Sequence, residues 1–366
     1  MSFKEFFGNE RIAAALRSTL LRERVPHALL FAGPRGVGKY TLARMFAQAA
    51  NCERLKDDAC GECETCLRLA PMADPAALIE RGLAERGESA DAAAVERAPL
   101  IIETHPDVWL LVPDPVRLRT PVARPMLRLG QLRAVQRAAH FAPSRRRRVF
   151  LLDGAETMRW TDADAFLKIL EEPPESATLV LMTTNAEALL PTIRSRCLQF
   201  YFAPLAVEAV EQFLKDRTKL SPAARSLAAQ LSGGCPGVAL DLDLANSERL
   251  RREALRFLET AAAGRDFSGL FALTAALTKN ERESFENLLT LFYSVLSDLL
   301  VFSCGAGNPV LRNPDLRGEI EALSKKVGRA WIIRAIEHLD ELHGRLRRNS
   351  NRQLGLDAVA ASLAQA

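Results

Sequence analysis

His27-Ala28-Leu29-Leu30-Phe31-Ala32-Gly33-Pro34-Arg35-Gly36-Val37-Gly38-Lys39-Tyr40-Thr41 decides the fold. Ala28 to Ala32 is an unbroken apolar run of strand length. Gly33 to Lys39 fits G-x-x-x-x-G-K, and Tyr40 to Ala50 continues as a helix. Strand, Gly-rich loop and helix follow in the order a phosphate-binding unit needs. Gly33, Gly36 and Gly38 let backbone N–H groups converge on phosphate oxygens, and Lys39 reaches the β- and γ-phosphates. The strand before and the helix after argue against a chance Gly-rich turn. The pattern normally closes on a Ser or Thr whose hydroxyl binds Mg²⁺. Here that position is Tyr40, whose phenol is too long and rigid for the task. Thr41 lies about 100° further round the helix. The loop therefore reads as a nucleotide loop that holds Mg-ATP poorly.

Working outward, residues 10–23 (ERIAAALRSTLLRE) form an amphipathic pattern. Val149–Asp153 is a second buried strand, with Asp153 at its end as a candidate Mg²⁺ partner, and a helix follows at Asp162–Glu171. Thr178–Thr184 is a third strand and Gln199–Phe202 a fourth. This alternation predicts a parallel sheet with helices on both faces. Residues 71–97 read as a surface helix or mobile insertion, and the proline-rich 106–128 as extended chain or loop. After Pro204 the sequence offers no strand. Val207–Arg217 and Ala223–Leu231 are helical, the second opened by Ser221 as N-cap and Pro222 in the first turn. From Ser247 onward all is helix, with Leu288, Leu291, Phe292, Val295, Leu299 and Phe302 on one core-facing stripe. The fold class is α/β plus all-α: a phosphate-loop domain at 1–203, a small helical domain at 204–245 and a larger helical domain at 246–366.

The chain has 366 residues, 49 basic against 45 acidic, and a net charge of +4. Bulk charge thus gives no sign of nucleic-acid binding. No apolar run approaches the roughly 20 residues of a membrane span. MSFKEFFGNER has no apolar core and does not read as a signal peptide, so the expected location is cytoplasmic. Seven cysteines, an odd number, argue against a disulfide framework. Four of them, Cys52, Cys60, Cys63 and Cys66, lie within fifteen residues. Four soft thiolates at this spacing suit a closed structural zinc site, or an iron–sulfur cluster.

Several further segments resemble the AAA+ clamp-loader family of bacterial DNA replication. These are Phe3…Phe6…Gly8-Asn9-Glu10, Pro26 to Phe31, Ala165-Phe166-Leu167-Lys168-Ile169-Leu170-Glu171-Glu172-Pro173-Pro174, Thr183-Thr184-Asn185, and Leu190 to Cys197 with its Ser-Arg-Cys. The likeness runs from about residue 3 to 240, and the remainder fits only loosely. It implies an AAA+ domain, a small helical lid and a helical collar. It places Asn185 in the sensor-1 segment of the nucleotide site. It implies that Arg196 of Ser-Arg-Cys acts in trans, as an arginine finger on ATP held by an adjacent subunit. It favours zinc in the cysteine cluster. The implied partners are the gamma/tau and delta subunits in a hetero-oligomer, and through them the sliding clamp and primed DNA. AAA+ ATPases follow the strand-ending Asp with Glu, but here Gly154 follows; Glu156, two positions on, reads as a solvated loop acid. The sensor-2 segment normally carries Arg, and here Val238 takes its place. With Tyr40, three parts of the ATP-hydrolysing apparatus are altered. The resemblance therefore implies an assembly subunit with a degenerate ATP/Mg²⁺ site. The competing readings are an active ATPase subunit and, more weakly, a zinc-stabilised DNA-binding module.

Minor signals read blandly. Arg145–Arg148 is a solvated turn. His105-Pro106-Asp107 is a loop that positions the next strand. Trp109, Phe141 and Trp160 are packing residues.

Overall fold

A computed structural model describes residues 2–86, 92–114, 125–264, 267–278, 285–305, 310–346 and 351–365. Its contacts divide the chain into two units, residues 1–209 with 235–238, and residues 210–234 with 239–366.

The first unit opens with α1 (Glu10–Leu21), β1 (Ala28–Ala32) and α2 (Lys39–Asn51). Helices α3 (Glu64–Leu69), α4 (Pro75–Arg86) and α5 (Ala92–Arg97) lead to β2 (Ile102–His105) and β3 (Val108–Leu111). Then come α6 (Leu129–Ala139), β4 (Arg148–Asp153), α7 (Ala163–Glu171), β5 (Ala177–Thr183), α8 (Pro191–Arg194), β6 (Leu198–Tyr201) and α9 (Val207–Lys215), which begins in this unit. The six strands form one sheet in the order β2-β3-β4-β5-β1-β6. All pairs are parallel except β2 with β3.

Alternation within each strand builds two apolar layers. Leu29, Phe31, Leu110, Val149, Leu151, Val180 and Met182 join residues of α1 and α2 on one face. Leu30, Leu111, Phe150, Leu152, Leu179 and Leu181 join α6 and α7 on the other. The pairing sets the carboxyl ends of β1, β4 and β5 side by side, with Ala32 opposite Thr183 and Asp153 opposite Met182. That edge is where open α/β sheets bind ligands.

Three expectations need correction. Residues 106–128 are not all loop, because Val108–Leu111 is strand β3, hydrogen-bonded between β2 and β4; 115–124 lie outside the described residues. The sheet is mixed at this edge rather than wholly parallel. The stretch 71–97 is no mere surface insertion: Leu78 is buried and Ile79 and Leu83 pack on the core, while 87–91 lie outside the described residues. Helix α6 escaped the sequence reading altogether. Arg86 at the end of α4 grips Asp114 with two hydrogen bonds of 2.5 and 3.0 Å, and Asp114 is fully buried. Removing one member strands the other charge. Arg86→Ala is therefore expected to lower unfolding free energy by about 3–5 kcal/mol, read by urea denaturation.

The weaker readings are met in part. Asp107 accepts from the backbone N–H groups of Ser144 and Arg145 and from the Ser144 hydroxyl, while its carbonyl accepts from Val149 N–H. His105-Pro106-Asp107 thus positions the start of β4. Arg145–Arg147 lie in the bend before β4, which Arg148 opens, and the bend is not merely solvated: Arg145 pairs with Glu53 and Glu64, and Arg147 donates to Ala177 O and Thr178 Oγ1. Trp109 packs edge-on against Phe150. Phe141 is mostly exposed, with the Arg148 guanidinium 6.0 Å from its ring centre, so it is no core packing residue. The Trp160 side chain lies outside the described residues.

Every regular element among the described residues of the second unit is a helix. It includes α10 (Pro222–Leu231), whose N-cap Ser221 accepts from Ala224 N–H with Pro222 in the first turn, as the sequence predicts. α11 (Pro236–Asp241) spans the division between the units. α12 (Leu244–Ala263), α13 (Phe267–Thr278), α14 (Phe285–Ser303), α15 (Arg317–Ser324), α16 (Arg329–Leu346) and α17 (Arg352–Ala364) complete it. Leu288, Phe292, Val295 and Leu299 are buried in one core with Phe257, Trp331 and Leu356. No described helix is long and apolar enough to cross a membrane.

Candidate functional site

β1 delivers the chain to the Gly-rich loop, and α2 begins at Lys39. The loop is closed on itself and on its neighbours. Lys39 is buried, and its Nζ donates to Gly33 O at 2.6 Å and Pro34 O at 2.8 Å. Burial pushes the Lys39 ammonium down from its ordinary range, partly offset by Asp153, Glu156 and Cys235. Gly36 adopts φ +75°, and a Cβ there would lie 2.7 Å from Val238 N and 2.8 Å from Val238 Cγ2. Gly237 N–H donates to Gly36 O at 2.8 Å. The position expected to carry a sensor-2 arginine therefore sets a valine methyl on the loop instead.

Tyr40 turns out of the site. Its hydroxyl donates to Met72 O at 2.6 Å, and its ring packs on the core beside α2. Burial holds this phenol well above its ordinary range. Thr41, one residue on, is half-buried in α2.

Asp153 ends β4 close to Lys39, and burial raises its pKa while Lys39 lowers it. Gly154, where AAA+ ATPases carry Glu, has φ +70°, and an added Cβ would meet Pro113 Cγ at 2.7 Å. The backbone itself is built for glycine at this point. Glu156 is not the solvated acid the sequence suggests. It is half-buried, and its Oε1 accepts from Thr184 N–H at 3.1 Å and Thr184 Oγ1 at 2.5 Å. Sequence reasoning missed this contact, whose partners are 28 residues apart. Asn185 is exposed, and its Oδ1 caps the following turn through Glu187 N–H. Gly33, Gly36, Gly38, Lys39 and Asp153 thus come together, while Asn185 spends its carbonyl on its own turn.

Arg196 lies beyond α8, with its side chain about one-third exposed at 34%. One guanidinium nitrogen donates to Glu171 at 2.8 Å and another to Thr192 O at 2.9 Å. A partly exposed ion pair of this kind contributes about 0–1 kcal/mol. It holds the guanidinium without committing it.

The four clustered cysteines do converge. The Sγ atoms of Cys52, Cys60, Cys63 and Cys66 lie within 4.8 Å of one another. A tetrahedron with Zn–S of about 2.3 Å sets its sulfurs about 3.8 Å apart, close to the 4.0 Å between Cys60 and Cys66. The N–H groups of Leu55 and Cys60 donate to Cys52 Sγ, and Cys63 N–H donates to Cys60 Sγ. Such donors favour thiolate; hydrogen bonds from Glu62 and then Cys63 hold Cys60 down to about 6, while burial pushes the Cys66 thiol the other way. The four residues fit a divalent metal with four sulfur ligands. Cys52 caps α2 and Cys66 lies in α3, so an ion shared by the four thiolates would tie these two helices.

A mixed, mainly parallel sheet, a phosphate loop between β1 and α2, and an acid ending β4 define a P-loop domain of the AAA+ class. The chain belongs to the DNA polymerase III clamp-loader subunits: residues 8–206 match the family described as DNA polymerase III, delta subunit, and residues 249–361 match its C-terminal family. The gamma/tau subunit of Mycobacterium bovis DNA polymerase III is 30% identical over 242 residues, covering 64% of this chain and 35% of that protein. The tau subunit of Escherichia coli is 30% identical over 248 residues, covering 66% and 32%. The chain spans about a third of the length of these curated relatives. A gamma subunit-related protein of Thermotoga maritima DNA polymerase III superposes with TM-score 0.42 at 15% identity, covering 97% of this chain and 98% of that one.

Proposed function

We propose that this chain is the delta-prime-type subunit of a DNA polymerase III clamp loader, with its own ATP site degenerate and Arg196 lent to a neighbour's ATP. The observation that carries this reading is Tyr40. The side chain in the Mg²⁺-ligand position is fastened to Met72 O, away from the phosphate loop. Gly154 and Val238 support it, since the first lacks a carboxylate on a backbone made for glycine and the second sets a methyl against Gly36. In this role the subunit joins gamma/tau and delta subunits and helps place the sliding clamp on primed DNA. Residues 1–203 provide the AAA+ body, 204–245 the lid and 246–366 the collar. Zn²⁺ in the four-cysteine site is structural. Arg133 and Arg137 share an exposed face of α6, a local cationic pair suited to phosphate contact within the assembly.

A second reading, an active gamma/tau-like ATPase, is favoured by the names of the curated relatives. ATP turnover by the isolated chain separates the two. The first reading expects turnover at background and no change on Lys39→Ala. Robust turnover abolished by Lys39→Ala establishes the second.

A further inference from the structure

Residues 2–9 lie between two sites with no obvious reason to communicate. At one end is the four-cysteine loop. Asp58, between Cys52 and Cys60, is buried, with 6% of its surface exposed. Its carboxylate accepts from Ser2 Oγ at 2.6 Å, from Phe3 N–H at 2.9 Å and from its neighbour Ala59 N–H at 2.8 Å. At the other end, Asn9 exchanges two hydrogen bonds with the backbone of Ala203, beyond β6, each 3.1 Å long. Between these anchors Phe3 and Phe6 are buried in the same core as α2. The Phe6 ring lies directly on the phosphate loop, where a Cβ added to Gly38 would approach Phe6 Cε2 and Cζ at 3.1 and 3.2 Å. Gly8 then turns the chain at φ +76° against Leu205.

We propose that residues 2–9 are a strap that holds the phosphate loop in its closed shape, and that Asp58 anchors it to the four-cysteine loop. Asp58 is a positioning residue. It accepts from the Ser2 hydroxyl and from Phe3 N–H, and without these bonds Phe3 and Phe6 lose the fixed end that presses Phe6 on Gly38. The order of the cysteine loop is thereby transmitted to Gly38 along a short stretch of chain. Metal release from the cysteines loosens Asp58 and so loosens the loop. The Asp58 contacts themselves stand whether or not the bound metal is zinc.

Amide hydrogen exchange on the full-length protein, with bound metal measured in parallel, tests this. Asp58→Ala is expected to retain its metal and to speed exchange at residues 2–8 and 36–42 by about tenfold or more, the scale of one to two lost hydrogen bonds to a charged group. Exchange at 148–153 is expected to stay as in the parent. Faster exchange at 2–8 with unchanged exchange at 36–42 overturns the proposal, as does no change at either. If Asp58→Ala loses its metal or fails to fold, Phe6→Ala decides. It is expected to speed exchange at 36–42 while sparing 52–66, and unaltered exchange at 36–42 refutes the strap.

Discussion

Arg196→Ala is expected to slow ATP hydrolysis at the adjoining site of a reconstituted clamp loader by about 10³-fold or more, the lower range for an arginine finger. The argument rests on charge. A guanidinium stabilises the negative charge that spreads over the transferring phosphoryl oxygens, and it does so only where two subunits meet. In the lone chain Arg196 is held by Glu171 and by Thr192 O, one-third exposed, in a pair that is inexpensive to break. The same weakness means that Arg196→Ala leaves chain stability within about 1 kcal/mol. Turnover and thermal melting, measured on the same variant, therefore separate a lent cation from a structural one. Glu171→Ala makes a useful companion: it frees Arg196 and leaves hydrolysis at the neighbouring site intact. Unchanged turnover with Arg196→Ala removes the in-trans role.

Metal removal is the second large effect. Structural zinc contributes about 10–16 kcal/mol of binding, and so of folding, free energy in small finger peptides. Here an ion held by the four cysteines would join the end of α2 to α3, and Gln48 of α2 also donates to Cys66 O. Cys66→Ser, or a strong chelator, is expected to lower the melting temperature of the first unit by more than about 10 °C, taking 1 kcal/mol as about 2–4 °C for a domain of this size. Metal analysis of the purified protein is expected to give one zinc per chain, and none in Cys66→Ser. A metal-free protein with an unaltered melting curve would contradict the structural-zinc assignment.

The phosphate loop was legible because strand, glycines and lysine are contiguous, and local rules act within them. The buried strands read at 149–153 and 178–184 were legible from their apolar centres, Val149 to Leu152 and Leu179 to Met182. Strand β3 was not, since Val108-Trp109-Leu110-Leu111 is four residues long and stands between Pro106 and Pro113. Its partners β2 and β4, not its own pattern, make it a strand. The replacement of a Ser or Thr by Tyr40 could be read directly, but not the destination of the phenol. That depends on Met72, 32 residues away, reached only after α3 has folded back. Glu156 was misread for the same reason, because its partner Thr184 lies at the end of a different strand. Val238 was identified by its motif, yet its approach to Gly36 spans about two hundred residues of chain. The convergence of the four cysteines was the easiest part of the site to foresee, as two CxxC steps leave the thiols few other arrangements.

The most direct measurement compares Lys39→Ala and Arg196→Ala, each in the otherwise intact reconstituted complex, by single-turnover release of phosphate from ATP. The account predicts parental kinetics for Lys39→Ala and a missing or greatly slowed phase for Arg196→Ala. A phase lost with Lys39→Ala and retained with Arg196→Ala would show that this chain burns its own ATP and lends nothing.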